Sequence, residues 1–309
     1  MNILVVYNPH AANGKARKLI PQITTYLEQA GLQAKFLETT SSGHAVELVK
    51  DSQLSEFDAV IASGGDGTLF EVLNGYQKNP SEKKPPLGLI PNGTGNAFMK
   101  ELKLHQADWK KAIDIIAKQQ PRKIDIGQFI SEGKTYYFLN IVGMGFVSDV
   151  AESAIPYKWM GNAAYTAATF RNLVKLKSQK ITIEIDGETL ERQGVFVEVA
   201  NSTYTGTTFL MAPKATLDDG LLDVVILKDI SRLKMLKMFN SIYDGSHIHF
   251  DEVEYFQGKN IKVTEERPGR LIPDGEILGL TPVEFECLPG AIEFLWDPEL
   301  LNTEALTEK

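Results

Sequence analysis

The sequence predicts an α/β plus β protein, with an amino-terminal doubly wound α/β domain followed by a C-terminal, mostly antiparallel β-sandwich domain. Over the first ~120 residues, short apolar segments alternate with segments of helical periodicity, as in a parallel sheet covered by helices. Beyond Pro121, strand-length segments follow one another with turns between them. The closing apolar segment 291–296 is expected to return to the first domain. We therefore place the first domain at 1–121, joined by 290–309, and the second at 122–289.

The composition is that of an average globular protein, with 309 residues, 43% hydrophobic and 23% charged. The net charge of −8 argues against broad nucleic-acid binding, which needs a clustered basic face. The single cysteine, Cys287, cannot form an internal disulfide, and its alternating neighbours predict a buried strand position. No segment approaches the roughly 18 apolar residues that span a bilayer, and no signal peptide is recognised. The sequence predicts a cytoplasmic protein with at most peripheral membrane contact, and leaves a homo-oligomer open.

The first domain is expected to contain four buried parallel strands and the helices that follow them. The strands are predicted at 3–7, 34–37, 58–63 and 85–90. Helices are predicted up to Leu27, over 45–50, and from Leu69, where helical spacing continues to Leu73 and Gly75 offers a stop.

The second domain is expected to be β-rich with three helical interruptions. Strands are predicted at 123–129, 136–141, 181–185, 195–200, 222–227, 260–263, 271–273 and 282–287. Helices are predicted near 147–154, 161–176 and 232–242.

A glycine-rich turn after the third strand is the strongest candidate for a phosphate site. It consists of Gly64, Gly65, Asp66, Gly67 and Thr68, between a buried strand and a helix. Open α/β sheets bind ligands at the carboxyl ends of their strands, and glycines leave backbone N–H groups accessible to a phosphate. The Asp66 carboxylate would repel phosphate, so we expect it to hold a Mg²⁺-bound water or a substrate hydroxyl. The alternative is an ordinary glycine turn capped by Asp66.

Other polar turns add candidates. Asn8 can offer an amide to a phosphate and Lys15 a positive charge, although Pro9 and Ala16 break the P-loop pattern around Gly14-Lys15. The acidic turn at 217–223 could bind a hard cation such as Mg²⁺, or be a plain Asp-Gly turn. The turn at 274–276 likewise places two carboxylates around a glycine, which is also common in simple hairpins.

Together these motifs resemble the diacylglycerol kinase catalytic-domain family, which includes bacterial lipid kinases and sphingosine kinases. The resemblance rests on five motifs in the family's order over nearly the whole chain. They are Asn8-Pro9 with Gly14-Lys15, Gly64–Thr68 with Glu71, the second glycine turn 91–96, the acidic turn 218–223, and Asp274-Gly275-Glu276.

The resemblance implies an NAD kinase/diacylglycerol kinase-like fold with the active site in a cleft between the two domains. It also implies an ATP site formed by the first glycine turn together with Thr39, Glu71 and Thr94. Asn8 joins this set through its amide.

The same resemblance assigns the metal and the proton acceptor. A structural Mg²⁺ would be held by Asp219 and the carbonyls of Thr216 and Leu221. Asp274 matches the general base, with Glu276 and Asp66 organising metal-bound water or the hydroxyl. The expected activity is ATP-dependent phosphorylation of a hydroxyl of a lipid such as diacylglycerol.

Three alternatives remain open. Many bacterial relatives have an aspartate where this chain has Ala97, and the Asn96-Ala97 pair resembles sphingosine kinases, so a sphingoid base is an alternative acceptor. NAD kinase shares the glycine-aspartate-glycine turn but lacks the motif 91–96. A catalytically inactive nucleotide or lipid sensor is the third.

A lipid substrate at a membrane surface requires docking to a bilayer. The segment 157–160 mixes basic, aromatic and flexible apolar residues, and four basic residues follow by position 180, as in segments that bind anionic lipid. The alternative is an ordinary helix whose lysines lie in water.

Overall fold

The computed structural model describes residues 1–105, 107–154, 171–172, 176–206, 208–297 and 299. The chain divides into two compact units, Met1–Ile124 with Gly290–Lys309, and Asp125–Pro289. The predicted helix 161–176 lies almost entirely, and the predicted membrane segment 157–160 entirely, outside the described residues. Among the residues described, no helix is both long and apolar enough to cross a bilayer.

The elements are numbered in chain order. The helices are α1 (Ile20–Gln29), α2 (His44–Lys50), α3 (Asp66–Lys78), α4 (Trp109–Lys118), α5 (Phe146–Ala154) and α6 (Arg232–Phe239). The strands are β1 (Asn2–Tyr7), β2 (Gln33–Glu38), β3 (Ala59–Gly64), β4 (Leu87–Pro91), β5 (Pro121–Ser131), β6 (Lys134–Phe138), β7 (Ile141–Gly145), β8 (Gln179–Ile185), β9 (Glu188–Ala200), β10 (Tyr204–Thr205), β11 (Phe209–Leu210), β12 (Leu222–Lys228), β13 (Val253–Gly258), β14 (Asn260–Glu265), β15 (Ile272–Pro273) and β16 (Val283–Leu295).

The first unit is built on a parallel sheet in the order β2-β1-β3-β4. Apolar side chains of β1 and β3 are fully buried, because helices cover parallel sheets. Helices α1 and α4 cover the face that carries Ile3, Val5 and Ile61, whereas α2 and α3 contact each other and strands β1 and β3. The end of β16 adds a fifth parallel strand, with Phe294 opposite Leu87. The predicted doubly wound domain is confirmed.

The predicted helix stop at Gly75 is wrong, because α3 continues through it to Lys78. A Cβ at Gly75 would lie 2.5 Å from the carbonyl oxygen of Val46 and 2.8 Å from Cβ of Val49. Gly75 therefore permits α2 to pack closely against α3, and its role is in helix packing.

The second unit is mostly antiparallel. Strand β9 pairs with β8 along its first half, and lies between β7 and β12 along its second half. Strand β13 extends the sheet beyond β12, and β14 connects β8 to β16. One face of the sheet carries an apolar cluster that includes Ile141, Phe196 and Val225 and residues of α5 and α6. The predicted β-rich second domain is confirmed.

The predicted strand 136–141 is wrong, because it is divided into β6 and β7 with Leu139 and Asn140 between them. The N–H groups of this interruption donate to a side chain, that of Asp274, instead of to a neighbouring strand. Cys287 is fully buried in β16, as predicted.

Candidate active site

The candidate ATP residues of the first unit lie at the carboxyl ends of its parallel strands. Tyr7 at the end of β1 is opposite both Glu38 of β2 and Ser63 of β3, and Gly64 is opposite Pro91 of β4. Asn8, Thr39, Gly65 and the second glycine turn therefore follow four adjacent strand ends. This is the edge at which open α/β sheets bind ligands.

The first glycine turn brings its backbone close to the second. The N–H groups of Asn92 and Gly93 donate to the carbonyl oxygen of Gly64 at 3.1 and 3.0 Å. A Cβ at Gly93 would lie 2.4 Å from Cα of Gly65, and a Cβ at Gly65 would lie 2.5 Å from the carbonyl oxygen of Gly95. Only glycines permit this contact between the turns.

Asp66 joins the two turns through its carboxylate. Both carboxylate oxygens accept from the N–H of Ala97, at 2.7 and 2.8 Å, and Oδ1 also accepts from Phe98 at 3.4 Å. The Asp66 N–H donates to the carbonyl oxygen of Gly95 at 2.9 Å. Asp66 therefore caps the short 3-10 helix Phe98–Lys100, and position 97 contributes its backbone N–H to this contact.

The amino terminus of α3 offers backbone donors to an anion. The N–H groups of Gly67 and Thr68 have no acceptor among the described residues. Asn8 Nδ2 donates to Thr68 Oγ1 at 3.2 Å, which connects the loop after β1 to this helix terminus. Thr94 is exposed on the second turn. Free N–H groups at a helix amino terminus suit phosphate oxygens.

The two remaining predicted ATP residues lie near α2. Glu71 accepts from the N–H of Gly43 at 2.7 Å and from that of Ala45 at 3.1 Å, so its carboxylate binds the amino terminus of α2. Thr39 is 5% exposed, and its N–H donates to the carbonyl oxygen of Tyr7 at 2.9 Å. In the described structure these two residues hold the segment that follows β2.

In the second unit, Asp274 occupies a tight turn with its carboxylate turned inward. Its φ is +48°, that of Gly275 is +84°, and the Glu276 N–H donates to the carbonyl oxygen of Pro273 at 2.8 Å. Two consecutive positive φ angles are typical of a hairpin turn of type I′, which Asp-Gly favours. Asp274 and Glu276 therefore lie in one turn, with Asp274 only 8% exposed.

Three backbone N–H groups hold the Asp274 carboxylate. Oδ1 accepts from Asn140 at 2.9 Å and from Ile141 at 3.2 Å, and Oδ2 accepts from Leu139 at 3.1 Å. Burial raises the pKa of Asp274 to about 6, and these N–H groups oppose the increase by stabilising the anion. A carboxyl with this pKa is mostly ionised at pH 7 and can still accept a proton.

Sequence reasoning missed the residues that support this turn. Asn201 Nδ2 donates to the carbonyl oxygens of Asp125 and Leu139, at 3.1 and 3.0 Å, and Ser202 Oγ donates to Asn140 Oδ1 at 3.1 Å. All of these polar side chains are buried. The signal was present in the sequence as Asn201-Ser202, two polar residues directly after a predicted strand.

The predicted magnesium ligands are close in the chain and chemically suited to a hard cation. Asp219 is exposed, and its Oδ1 accepts from the Leu221 N–H at 3.0 Å. The carbonyl oxygens of Thr216 and Leu221 accept no hydrogen bond from a described residue. One carboxylate and two free carbonyls match the oxygen ligands of Mg²⁺. The described residues contain no cluster of three or more His, Cys, Asp or Glu side chains able to bind a metal.

A further acid, Asp223, lies four residues after Asp219, at the start of β12. Asp223 is fully buried, and neither carboxylate oxygen has a hydrogen-bond partner among the described residues. Burial raises its pKa to about 6, while the nearby Tyr255 hydroxyl acts in the opposite direction.

Known proteins match both units. The family model for the diacylglycerol kinase catalytic domain matches residues 2–129. The model for the YegS C-terminal NAD kinase beta sandwich-like domain matches residues 140–296. A diacylglycerol kinase of Bacillus subtilis strain 168 is 32% identical over 284 residues, which cover 91% of each chain. One of Staphylococcus carnosus strain TM300 is 28% identical over 306 residues, covering 98% of each.

Solved structures agree on the fold. The crystal structure of a diacylglycerol kinase from Bacillus anthracis strain Sterne has a TM-score of 0.70 at 24% identity, covering 96% of this chain and 97% of that one. A second structure from that organism has a TM-score of 0.79 at 27% identity, covering 96% of both chains. The roles assigned above to individual residues, and the predicted cleft between domains, stay predictions. The chain belongs to the diacylglycerol kinase catalytic-domain family and is a phosphotransferase that uses an alcohol group as acceptor.

Proposed function

We propose that this protein is an ATP-dependent lipid kinase that phosphorylates a hydroxyl group of diacylglycerol. Family membership supports a lipid kinase, and the names of the relatives from Bacillus subtilis and Staphylococcus carnosus support this acceptor. The observation that carries the proposal is Asp274, a buried carboxylate held by three N–H groups with its pKa raised to about 6.

The first unit binds the phosphates of ATP in this proposal. Backbone N–H groups of Gly65, Gly67 and Thr68 face the anion, with Asn8 fixing Thr68. The contact between glycine turns keeps the backbone bare of side chains, so the phosphates can approach it. Gly64 permits the close approach of Thr68, because a Cβ there would lie 2.2 Å from Thr68 Oγ1.

The other predicted ATP residues complete this side. Thr39 and Thr94 offer hydroxyl groups at the ends of β2 and β4. Glu71 orients the segment before α2 through the N–H groups of Gly43 and Ala45.

Asp274 is the proton acceptor for the lipid hydroxyl. Removing the proton as the oxygen attacks makes the hydroxyl a better nucleophile, and a base with a pKa near 6 is ionised at pH 7. The three N–H donors keep the carboxylate in place while leaving lone pairs for the substrate. Glu276, two residues along, organises water beside Asp274. In the first unit, Asp66, which caps the 3-10 helix Phe98–Lys100, organises metal-bound water or the hydroxyl.

Asp219 and the carbonyls of Thr216 and Leu221 would hold Mg²⁺ in the second unit, since their oxygens fit a hard cation. When bound, the ion would supply positive charge that holds the turn before β12. In the proposal this site stabilises the fold and does not take part in proton transfer.

The first test compares Asp274→Asn with a matched control, Asp186→Asn. Asp186 also precedes a glycine at positive φ, and its carboxylate accepts from the N–H groups of Lys259 and Asn260, but it is exposed. We expect Asp274→Asn to bind ATP and to lose roughly 10²–10⁴-fold in turnover, the usual contribution of a positioned base. Asp186→Asn should retain wild-type turnover. Equal turnover in both variants would refute the assignment.

The second test identifies the acceptor. The wild type is incubated with radiolabelled ATP, Mg²⁺ and, in separate reactions, diacylglycerol, sphingosine or NAD. Labelled phosphatidic acid supports the proposal. Label only on sphingosine would support the alternative suggested by Ala97, and label only on NAD would support an NAD kinase. No label in any reaction would point to a sensor.

A further inference from the structure

The outer face of α6 exposes large apolar side chains. Leu233 is 66% exposed and Leu236 is 39% exposed, and Tyr243, just beyond the helix, is 46% exposed. Among the described residues, Ile130 is the only other exposed large hydrophobic residue. Leu233 and Leu236 are three residues apart and lie on the same side of α6, and the Tyr243 ring contacts that of Phe239 at the end of the helix. These side chains form an apolar stripe. We call this stripe with its flanking cations the α6 surface.

Cations flank the apolar stripe. Arg232 and Lys237 are exposed and form no ion pair within the described part of the chain. Lys234, also on α6, pairs with Glu252 at 2.5 Å, so the acid beside the helix is already neutralised. Asp229, three residues before Arg232, and Asp251, next to Glu252, are also exposed, and the Asp244 carboxylate accepts from the N–H and hydroxyl of Ser246. The α6 surface thus carries two cations without an ion pair among the described residues, beside apolar side chains, on a protein whose net charge is −8.

The opposite side of α6 is anchored in the apolar cluster of the second unit. Met235, Met238 and Ile242 are buried there. The same cluster contains Ile141, whose N–H donates to the Asp274 carboxylate. Helix α6 therefore packs on the same apolar cluster as β7, the strand whose Ile141 N–H binds the proposed base Asp274.

We propose that the α6 surface docks the protein onto a bilayer rich in anionic lipid. This rests on the proposed lipid kinase activity, which needs access to a membrane-embedded acceptor. Leucine side chains enter the acyl boundary while arginine and lysine remain at the headgroups, the arrangement of interfacial amphipathic helices. A second copy of the chain fits this surface less well, because stable dimers bury about 800 Å² per partner and a stripe of three side chains supplies far less.

Vesicle co-sedimentation tests the proposal with full-length protein. The wild type should bind vesicles of phosphatidylglycerol and phosphatidylcholine more tightly than vesicles of phosphatidylcholine alone. The double variant Leu233→Gln/Leu236→Gln should bind at least about tenfold more weakly, because two apolar side chains no longer enter the bilayer. The control is Ile130→Gln, which removes a 40% exposed apolar side chain elsewhere in the same unit and should bind as the wild type does.

Unchanged vesicle binding in the double variant, or an equal loss in Ile130→Gln, would overturn the proposal. A wild-type dimer that dissociates in the double variant, with no change in vesicle binding, would instead assign the surface to self-association and also overturn it.

Activity measurements separate this proposal from the kinase assignment. The double variant should lose activity on diacylglycerol in vesicles and retain it on a short-chain diacylglycerol that dissolves as monomers. Loss on both substrates would overturn the docking role. If the wild type phosphorylates neither substrate but binds vesicles through Leu233 and Leu236, the docking surface stands and the kinase assignment fails.

Discussion

Because Glu198 on β9 is buried, we predict that the stability of the second unit falls as the pH rises. The side chain is 3% exposed on the face of the sheet that carries the apolar cluster, and its Oε2 has no partner among the described residues. Gly143 on β7 and Val225 on β12 lie opposite it. Burial raises the pKa of Glu198 from 4.5 to about 8, so the carboxyl is neutral in the folded protein at pH 7.

The sign and size of the effect follow from this difference in pKa. Between pH 4.5 and pH 8 the folded state keeps a proton that the unfolded state releases, so the free energy of unfolding decreases by up to about 1.4 kcal/mol per pH unit. Asp223 and Asp274 have pKa values raised to about 6, so they contribute at lower pH. Between pH 6.5 and 7.5, where Glu198 dominates, the expected loss is about 1 kcal/mol.

Urea unfolding followed by circular dichroism at several pH values measures this slope. Glu198→Gln cannot ionise, so its free energy of unfolding should be nearly constant between pH 6.5 and 7.5. The matched control is Glu184→Gln on the exposed side of neighbouring β8, which should keep the wild-type slope. If Glu198→Gln shows the same slope as the wild type, the inference that Glu198 is buried and neutral is refuted.

Two further variants test the first unit. Gly93→Ala should weaken ATP binding by about tenfold or more, measured by calorimetry, because its Cβ would lie 2.4 Å from Cα of Gly65. Gly95→Ala is the control, since its Cβ has an ordinary 3.4 Å contact, and equal affinities in the two variants would contradict the role of the glycine contact. Glu71→Ala should lower the free energy of unfolding by about 1 kcal/mol through loss of its bonds to the α2 amino terminus, whereas Glu47→Ala, an exposed α2 glutamate, should change it little.

The sequence predicted well those elements whose burial can be inferred from the residues of one short segment. The four parallel strands are short apolar segments bounded by turns, and the glycine turns follow two of them. The sequence predicted a helix stop at Gly75 because helix propensity is a local property. Glycine is needed there because a Cβ would collide with the Val46 carbonyl oxygen on α2, which the local sequence does not show. The division of β6 from β7 was missed because Leu139 is apolar and continues the strand pattern.

The site was only partly accessible from sequence. The turns that carry Asp66 and Asp274 were found, but the bond from the Asp66 carboxylate to the Ala97 N–H is long-range and leaves no local pattern. The three N–H donors to Asp274 come from residues more than 130 positions earlier in the chain. Glu198 had a visible signal, a lone acid within the apolar segment 195–200, whose burial only the strand pairing establishes.

Strand β16 has a consequence for how the protein is made. Phe294 of β16 is paired with Leu87 of β4. Trp296 is almost fully buried, its ring packs against Phe98 with centroids 6.5 Å apart, and its backbone N–H donates to the carbonyl oxygen of Gln120. The first unit therefore takes an edge strand and a core indole from residues that leave the ribosome after the whole second unit. Amino-terminal domains commonly fold first during synthesis. Here the β4 edge of the nascent first unit stays unpaired until Trp296 has been synthesised. During this interval the unit is most exposed to aggregation through that edge.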